Sequence, residues 1–459
     1  MKKTWIYAAI FLLLVSNALA FDLRIEGEKI YLQAAEEPLQ NILRRVAQQG
    51  IRVRIDPQLN PKISAAFENR DIREAIAEIV KPYDHILVWE KGTDNSSSFR
   101  LSEIQVFRPG KKDVIRDLSS RVFSLAKDQK HGGLFVRDEL LLRVKSKAGV
   151  EKLLGMIGGI VIDKYDALGI YKVRLPPGSD IPTMVAKINS LPGIAQAAPD
   201  FAYPLNDLYR ADLFSPAGEI TKVYPKDGKV SVAVLDSGVM PGIGTDGFVV
   251  ASLDAVSPRN PMSDNVGHGT QMALIASGLV KPFGAMIDDG GPIPVIAIRA
   301  MDDNGFTTDY TILKSIDYAM EKGARVVSLS WGAVEKSDFL EAILDYAASK
   351  DIIVVASAGN EPTGKPVYPA AYPSVIGVGA AYPNGKIWEK SNYGSFVDLY
   401  APGFASLPVG YKGDPGIYSG TSISAAFVAN RIADYLSEYP ESNIQEIKAA
   451  LHDKKIPMN

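Results

Sequence analysis

Apolar residues recur along the first hundred positions with two periods, one typical of helices and one of strands. The helical period is carried by two sets of residues, Leu39, Ile42, Leu43 and Val46 in the first and Ile72, Ala75, Ile76 and Ile79 in the second. Between these sets, residues 51–55 alternate as a strand does and stop at Asp56-Pro57. A strand over 86–89 and a turn over 92–98 follow. The pattern predicts a small α+β domain over residues 21–108.

A second small domain is predicted over residues 134–205. Strands at 139–144 and 170–175 alternate with helices at 150–157 and 181–191, and a last extended piece reaches Pro199. We interpret the order as β-α-β-β-α-β, the order of a ferredoxin-like unit. Residues 109–133, between the two small domains, are polar and weakly patterned, so they are predicted to be a linker.

The hydrophobic pattern changes over residues 206–459, where the predicted strands are apolar along their whole length. The continuous apolar runs are residues 230–235, 295–298, 326–329, 352–356 and 375–378. Such runs are typical of parallel strands buried on both faces. Helical segments lie between them, such as 311–322 with Ile312, Ile316, Ala319 and Met320 facing inward. We therefore predict an α/β domain with a doubly wound, mostly parallel sheet and a site at the carboxyl ends of its strands.

The first 20 residues have the pattern of a secretory signal. Lys2 and Lys3 precede an apolar run over 5–15 and a small-residue ending at Ala20. A membrane anchor is the alternative, but the run is shorter than the roughly 20 residues that a bilayer requires. We expect an exported protein, periplasmic or extracellular, with no transmembrane segment after cleavage of the signal.

The amino-acid composition excludes several kinds of site and partner. The chain of 459 residues has no cysteine, which excludes disulfides, thiolate zinc sites and a cysteine nucleophile. Its formal net charge of −3 gives no basic footprint, so nucleic acid is not an expected partner.

Four polar residues of the large domain stand where its predicted strands end or its helices begin. Asp236 ends an apolar strand, Asn360 follows another, His268 lies between two glycines before an apolar helix, and Ser422 follows Gly-Thr at a helix start. Each has an ordinary structural interpretation as a turn residue or helix cap. Together they provide a carboxylate, an imidazole, a hydroxyl and an amide donor at one edge of a sheet.

The sequence around these residues resembles the subtilisin-like serine peptidases, the subtilases. The matching motifs are Val-Ala-Val-Leu-Asp236-Ser-Gly, Gly-His268-Gly-Thr-Gln-Met-Ala, Ser-Ala-Gly-Asn360 and Ser-Gly-Thr-Ser422. The order Asp, His, Ser is the order of the triad in subtilisin. The resemblance implies a serine endopeptidase in which Ser422 attacks, His268 transfers the proton and Asp236 orients the imidazole. It also implies that Asn360 stabilises the oxyanion.

The same resemblance assigns substrate-binding residues. Ser328, Ser330, Trp331 and Gly332 match the family's substrate-binding strand, on which a peptide pairs as an added β-strand. Ser357, Ala358 and Gly359 match one wall of the primary specificity pocket. Because these wall residues are small, we expect an open, uncharged pocket.

Both small domains also resemble known modules. Residues 134–205 resemble the subtilase propeptide, which implies an intramolecular inhibitor that assists folding and is removed by cleavage between about residues 201 and 215. Residues 21–108 resemble the short N-terminal domain of secretins and TonB-dependent receptors, which implies docking to an envelope protein. A generic spacer domain is the alternative for 21–108.

The residues after Ser422 depart from the family pattern, which is usually Met-Ala-x-Pro, whereas Ile423, Ser424, Ala425 and Ala426 follow here. Subtilases usually have proline four residues after the serine, in what we predict to be the first turn of the helix, whereas Ala426 stands here. We interpret this change as tuning. The rival hypothesis is a non-catalytic peptide-binding envelope protein on a subtilase scaffold, and a further one is ester hydrolysis.

No cofactor is expected to be required, and no metal site is assigned. Calcium is common in the family, and residues 301–305 contain acidic side chains that would suit it. Their Asp-Asn-Gly sequence is, however, first a turn signal.

Overall fold

The computed structural model divides into two compact units. The first ends at Val122 and the second begins at Phe123. The residues that the structure describes are 22–47, 51–56, 58–91, 99–118, 123–128, 132–144, 147–191, 195–206, 208–211, 222–258, 261–285, 291–409 and 415–458. None of the helices in these ranges is long and apolar enough to cross a bilayer.

The first unit contains two small sheets and two helices. Its elements are β1 (Asp22–Glu26), β2 (Lys29–Pro38), α1 (Leu39–Ala47), β3 (Arg52–Ile55), β4 (Lys62–Asp71), α2 (Ile72–Ile79), β5 (Asp84–Lys91), β6 (Phe99–Phe107), a 3₁₀ turn (Lys112–Val114) and β7 (Arg116–Asp117). The sheets have the orders β1-β2-β4 and β5-β6-β3-β7. Both predicted helices are confirmed, because their eight apolar residues are buried in one core. The turn predicted over 92–98 lies outside the described residues.

The second unit begins with a ferredoxin-like layer. Its elements are β8 (Leu125–Lys127), β9 (Leu134–Val144), α3 (Lys147–Ile157), β10 (Ile160–Tyr165), a 3₁₀ turn (Asp166–Leu168), β11 (Ile170–Arg174), α4 (Ile181–Asn189) and β12 (Ala195–Pro204). The strand order β10-β11-β9-β12 and the β-α-β-β-α-β succession confirm the predicted pattern.

The linker predicted over 109–133 is partly incorporated into sheets. β7 pairs with β3, and β8 pairs with β9. These strands are two and three residues long and lie at sheet edges. Elements so short show no hydrophobic period, so the sequence pattern did not indicate them.

The rest of the second unit is built on a large sheet. Its elements are β13 (Tyr209–Ala211), β14 (Ser231–Asp236), a 3₁₀ turn (Thr245–Gly247), β15 (Val249–Asp254), α5 (His268–Ala276), β16 (Val295–Arg299), β17 (Phe306–Thr308), α6 (Asp309–Glu321), β18 (Ala324–Leu329), α7 (Asp338–Ala348), β19 (Ile353–Ser357), β20 (Val375–Ala381), β21 (Leu399–Pro402), β22 (Phe404–Leu407), β23 (Gly416–Ser419), α8 (Thr421–Glu438) and α9 (Ile444–His452). β13, β23 and β22 form a small antiparallel sheet of their own.

The large sheet has seven parallel strands in the order β15-β16-β14-β18-β19-β20-β21. Helices α5 and α8 share an apolar core with one face, and α6 and α7 share another core with the opposite face. This confirms the predicted doubly wound fold. β15 and β21 are edge strands that were not predicted: β15 is partly exposed and contains Ser252 and Asp254, and β21 has only four residues and ends in a proline.

β12 links the ferredoxin-like layer to the large domain. It was expected to end at Pro199, but it continues to Pro204 and pairs with β17 through Ala202, Tyr203 and Pro204. A strand that is completed by a distant partner leaves no local signal in the sequence. One β-strand therefore belongs both to the small layer and to the edge of the candidate site.

Candidate active site

Asp236 and His268 meet at the carboxyl edge of the sheet. Asp236 is the last residue of β14, and His268 is the first residue of α5. Asp236 Oδ1 lies 2.8 Å from His268 Nδ1, and both side chains are buried. Because the carboxylate accepts, the proton of the neutral ring is assigned to Nδ1. His268 Nε2, which has no hydrogen-bond partner among the described residues, is then an acceptor for a proton.

Two glycines allow α5 to begin close to the turn after β14. An added Cβ on Gly269 would lie 2.3 Å from the carbonyl oxygen of Gly238, so only glycine fits there. Gly267, the N-cap of α5, has φ 88°, a left-handed conformation that glycine adopts without strain. The glycines on both sides of His268 therefore have a local structural cause.

A buried carboxylate ties the turn after β14 to the start of α5. Asp264 Oδ1 accepts hydrogen bonds from Ser237 Oγ at 2.9 Å and Gly267 N at 2.7 Å. Its Oδ2 accepts from Thr270 N at 2.8 Å and Thr270 Oγ1 at 2.6 Å. Ser237 Oγ in turn accepts from Gly269 N at 2.8 Å. Burial raises the pKa of Asp264 above its ordinary value, and these donors oppose that effect.

Ser422 lies at the N-terminus of α8, as the second residue of that helix. Its side chain is buried, and its Oγ donates a hydrogen bond to the carbonyl oxygen of Ser330 at 3.4 Å. The first N–H groups of a helix have no intrahelical acceptors, so they are available to an anion beside the serine.

Asn360 follows β19 and is held against the start of α8. Its Oδ1 accepts hydrogen bonds from Thr421 N at 2.9 Å and Thr421 Oγ1 at 2.8 Å. The opposite atom of the carboxamide, Nδ2, lies 3.3 Å from the position of a Cβ added to Gly420. Thr421 therefore orients the amide donor toward the backbone beside Ser422. Thr421 is a supporting residue that was not predicted, although it directly precedes the serine.

The residues matched to the substrate-binding strand are placed around the end of β18. Ser328 lies in β18, and Ser330, Trp331 and Gly332 follow it. A Cβ on Gly332 would lie 2.6 Å from Val367 Cγ1, so the backbone is closely packed there. This segment approaches the serine through the carbonyl of Ser330.

Ser357, Ala358 and Gly359 continue from β19 toward Asn360, and all three are buried. A buried asparagine that the sequence analysis missed fixes their backbone. Asn392 Nδ2 donates to the Ala358 carbonyl at 3.2 Å, and Asn392 N donates to the Gly359 carbonyl at 2.9 Å. Two carbonyls of the wall are thus held by hydrogen bonds, and the wall carries no charged side chain.

The acidic residues at 301–305 form a turn. Asp302 Oδ1 accepts from Asn304 N at 2.9 Å and Phe306 N at 3.1 Å, while Asp303 pairs with Arg299 at 2.7 Å. In the described part of the chain, no group of three or more histidine, aspartate or glutamate side chains is placed to hold a metal ion.

The fold and the four residues at its edge define a subtilisin-like serine peptidase. A model of the subtilase family matches residues 227–455, and a model of the fervidolysin N-terminal prodomain matches residues 124–200. The chain is 32% identical over 228 residues to thermitase of Thermoactinomyces vulgaris, an alignment that covers 48% of this chain and 79% of thermitase. The chain therefore belongs to the subtilase family.

Two other relatives extend the similarity beyond the large domain. A thermophilic serine proteinase of Bacillus sp. (strain AK1) is 29% identical over 334 residues, covering 70% of this chain and 82% of that protein. The crystal structure of fervidolysin from Fervidobacterium pennivorans, described as a keratinolytic enzyme related to subtilisin, matches with a TM-score of 0.57 and 22% identity. That match covers 72% of this chain and 58% of fervidolysin, and it supports the fold alone.

Proposed function

We propose that this chain is an exported serine endopeptidase, made as a zymogen, that hydrolyses peptide bonds through Asp236, His268 and Ser422. The observation that carries the proposal is the buried 2.8 Å hydrogen bond from His268 Nδ1 to Asp236, beside the helix N-terminus that bears Ser422. Burial excludes water from the pair, so the carboxylate holds the ring in one tautomer.

In this mechanism Ser422 Oγ attacks the carbonyl carbon of the peptide bond. His268 Nε2 takes the hydroxyl proton and returns it to the leaving amine, and Asp236 stabilises the imidazolium between these steps. Water then hydrolyses the acyl-enzyme by the same route. In the structure Ser422 Oγ bonds to Ser330 O, so attack requires a rotation of its side chain toward His268.

The oxyanion is stabilised by Asn360 Nδ2 and the backbone N–H of Ser422. Support for this assignment comes from Thr421, which occupies the other side of the Asn360 carboxamide. A donor fixed before the reaction has no reorganisation cost when negative charge develops.

The prodomain, residues 134–205, which the match at 124–200 overlaps, is proposed to inhibit the enzyme in cis. Its Asp200 accepts from the backbone N–H of Tyr310 in the first turn of α6 at 3.0 Å, and its Tyr165 donates to Asp317 of the same helix at 2.7 Å. A carboxylate at a helix N-terminus is favourable, which supports specific docking.

A fluorophosphonate probe tests the serine directly. We expect the processed wild type to be labelled and Ser422→Ala not to be labelled, while Ser424→Ala, two residues further along α8, keeps the label. Turnover of casein then separates a peptidase from an esterase. A wild-type protein that binds peptides but takes up no label would support the non-catalytic binding protein instead.

We further propose that residues 1–20 direct export and that residues 21–108 dock to an envelope protein. The two amphipathic helices around β3 support the second point, since they agree with the resemblance to secretin and TonB-receptor domains. Cell fractionation, with mass determination of the mature N-terminus, distinguishes periplasmic from extracellular location. Deletion of 21–108 should release an envelope-bound enzyme without loss of fluorophosphonate labelling.

A further inference from the structure

The chain that leaves the prodomain crosses the candidate active site as an extended strand. After Tyr203, which pairs with Thr307, Leu205 donates its N–H to the Gly305 carbonyl at 2.8 Å. On its other side Leu205 pairs antiparallel with Trp331. The segment is therefore the middle strand between β17 and the stretch that follows β18.

This strand and the serine share a hydrogen-bond acceptor. The N–H of Asn206 and the Oγ of Ser422 both donate to the same atom, the Ser330 carbonyl oxygen, each at 3.4 Å. Beyond the serine, Leu208 Cδ2 lies 2.6 Å from the position of a Cβ added to Gly420. Asn206 thus shares an acceptor with the nucleophile, and Leu208 lies beside the glycine that precedes α8.

The side chain of Asn206 enters the wall of small residues. Its Nδ2 donates to Ser357 Oγ at 2.8 Å, and Ser357 is fully buried at the end of β19. A leucine in this place would leave the buried hydroxyl unpaired, and an aspartate would bring a charge without a cation. The wall is therefore matched to a neutral amide.

The side chain of Tyr203 is buried three residues earlier. Its hydroxyl donates to Asp309 Oδ1 at 2.7 Å, and its ring lies 5.4 Å from the ring of Trp331. The second oxygen of Asp309 accepts from Ser337 Oγ at 2.6 Å, which fixes the carboxyl group for the tyrosine. A phenylalanine would fill the same space but leave Asp309 without this donor.

We propose that the peptide bond on the carbonyl side of Asn206 is the first bond this enzyme cuts, and that its preferred substrates carry asparagine before the cleaved bond and tyrosine three residues earlier. The inference rests on the proposed function. Ser422 Oγ forms an ester with the Asn206 carbonyl carbon while the C–N bond to Asp207, a residue outside the described ranges, breaks. His268 carries the serine proton to the new amine, and water releases the Asn206 carboxylate.

Self-cleavage of the full chain tests the first part. We expect wild-type protein to yield a fragment whose N-terminus is Asp207, and we expect Asn206→Leu to be cut at least about tenfold more slowly or at another bond. Asn384→Leu, a change of an exposed asparagine in a turn, is the matched control and should be cut like the wild type.

The outcomes separate this inference from the proposed function. A cut that depends on Ser422 but falls at another bond overturns the inference and leaves the peptidase intact. A labelled protein that is never cut overturns it as well. A wild type that is neither cut nor labelled by fluorophosphonate overturns both.

Fluorogenic tetrapeptides test the specificity with the processed enzyme. We expect kcat/KM for Tyr-Pro-Leu-Asn to exceed that for Phe-Pro-Leu-Asn and for Tyr-Pro-Leu-Leu by about tenfold or more. Asp309→Leu should abolish the preference for tyrosine over phenylalanine while keeping the preference for asparagine over leucine. Equal rates for the tyrosine and phenylalanine peptides, or for the asparagine and leucine peptides, would contradict the corresponding half of the proposal.

Discussion

At the scale of single residues, the site depends on side chains that never touch a substrate. Asp264 is the clearest case, since its two oxygens accept from both segments that carry the Asp236 and His268 pair. Replacing Asp264 by asparagine would turn an NH₂ group toward donors. We expect Asp264→Asn to lower the free energy of unfolding by about 2–3 kcal/mol and kcat by about tenfold or more, with little change in KM.

Unfolding in urea is best measured on Ser422→Ala protein, which avoids self-digestion, and kcat on the processed enzyme. Asp246→Asn, at an exposed aspartate, is the control and should change neither quantity. Loss of stability with normal kcat would mean that Asp264 serves folding without positioning His268.

Asn360 allows a different prediction, because in the proposed mechanism its amide donor acts only when the oxyanion forms. Asn360→Ala should lower kcat about 10²- to 10³-fold and leave KM nearly unchanged. Steady-state kinetics on one peptide substrate measure both constants. A rise in KM with normal kcat would instead assign Asn360 to ground-state binding.

The sequence placed Asp236, His268, Asn360 and Ser422 correctly at strand ends and helix starts, since each follows a strong local pattern. It did not indicate the supporting residues. Asn392 acts on the wall of small residues from 34 positions away, and Thr421 and Asp264 act through backbone N–H groups. Such contacts exist only after folding and leave no hydrophobic period, and even the motif that contains Thr421 does not show which group Thr421 bonds to.

At the scale of elements, α8 corrects the interpretation of Ala426. This residue was predicted to lie in the first turn, where proline would be favourable. The helix begins at Thr421, so Ala426 is its sixth residue, and its side chain is fully buried. An alanine in a helix interior favours the helix, so the change from proline does not weaken the start of α8.

We therefore expect Ala426→Pro to destabilise the protein by about 3 kcal/mol, although proline is usual in the family. The ring would remove one hydrogen bond of the helix and meet the carbonyl of the preceding turn. Urea unfolding of the Ser422→Ala protein with and without the change measures the effect. A stabilised variant would show that α8 accommodates a kink as its relatives do.

At the scale of the whole molecule, the candidate site and its prodomain contacts lie within the second compact unit. A chain that lacks residues 21–118 should therefore cleave itself within about twofold of the full-length rate, because no residue of the site is removed. Time courses on denaturing gels compare the two chains. A deletion that folds but fails to cleave would give the first unit a part in maturation.

The docked prodomain should also respond to pH. Burial, followed by repulsion from Asp200, raises the pKa of Asp309 from 3.8 to about 8, and the hydroxyls of Ser337 and Tyr203 oppose this. Burial also raises the pKa of Asp200, and the positive charge of Lys172 opposes this effect. If undocked Asp309 has an ordinary pKa, docking takes up a proton. Docking is then strongest below about pH 3.8 and weakens as pH rises toward 8.

Between about pH 3.8 and 8, the equilibrium constant for docking should fall by at most about tenfold per pH unit. Hydrogen exchange of β12 in Ser422→Ala protein, corrected for the intrinsic rate, should show less protection at about pH 8 than at about pH 6. Asp309→Asn cannot ionise at this position and should show a clearly smaller difference, the rest of which belongs to Asp200. Equal loss of protection in both proteins would exclude Asp309 as the cause.

The pairing of β12 with two strands determines when the prodomain leaves after cleavage. The strand is held by β9 along one edge and by β17 along the other, and neither set of hydrogen bonds crosses the bond after Asn206. Cutting that bond would therefore leave the first product seated as the first inhibitor. Maturation would then have two stages, a fast cleavage of the bond and a slow dissociation of the prodomain. The time at which activity first appears would be independent of protein concentration. This would hold until the first free enzyme molecules begin to digest the prodomains of other molecules.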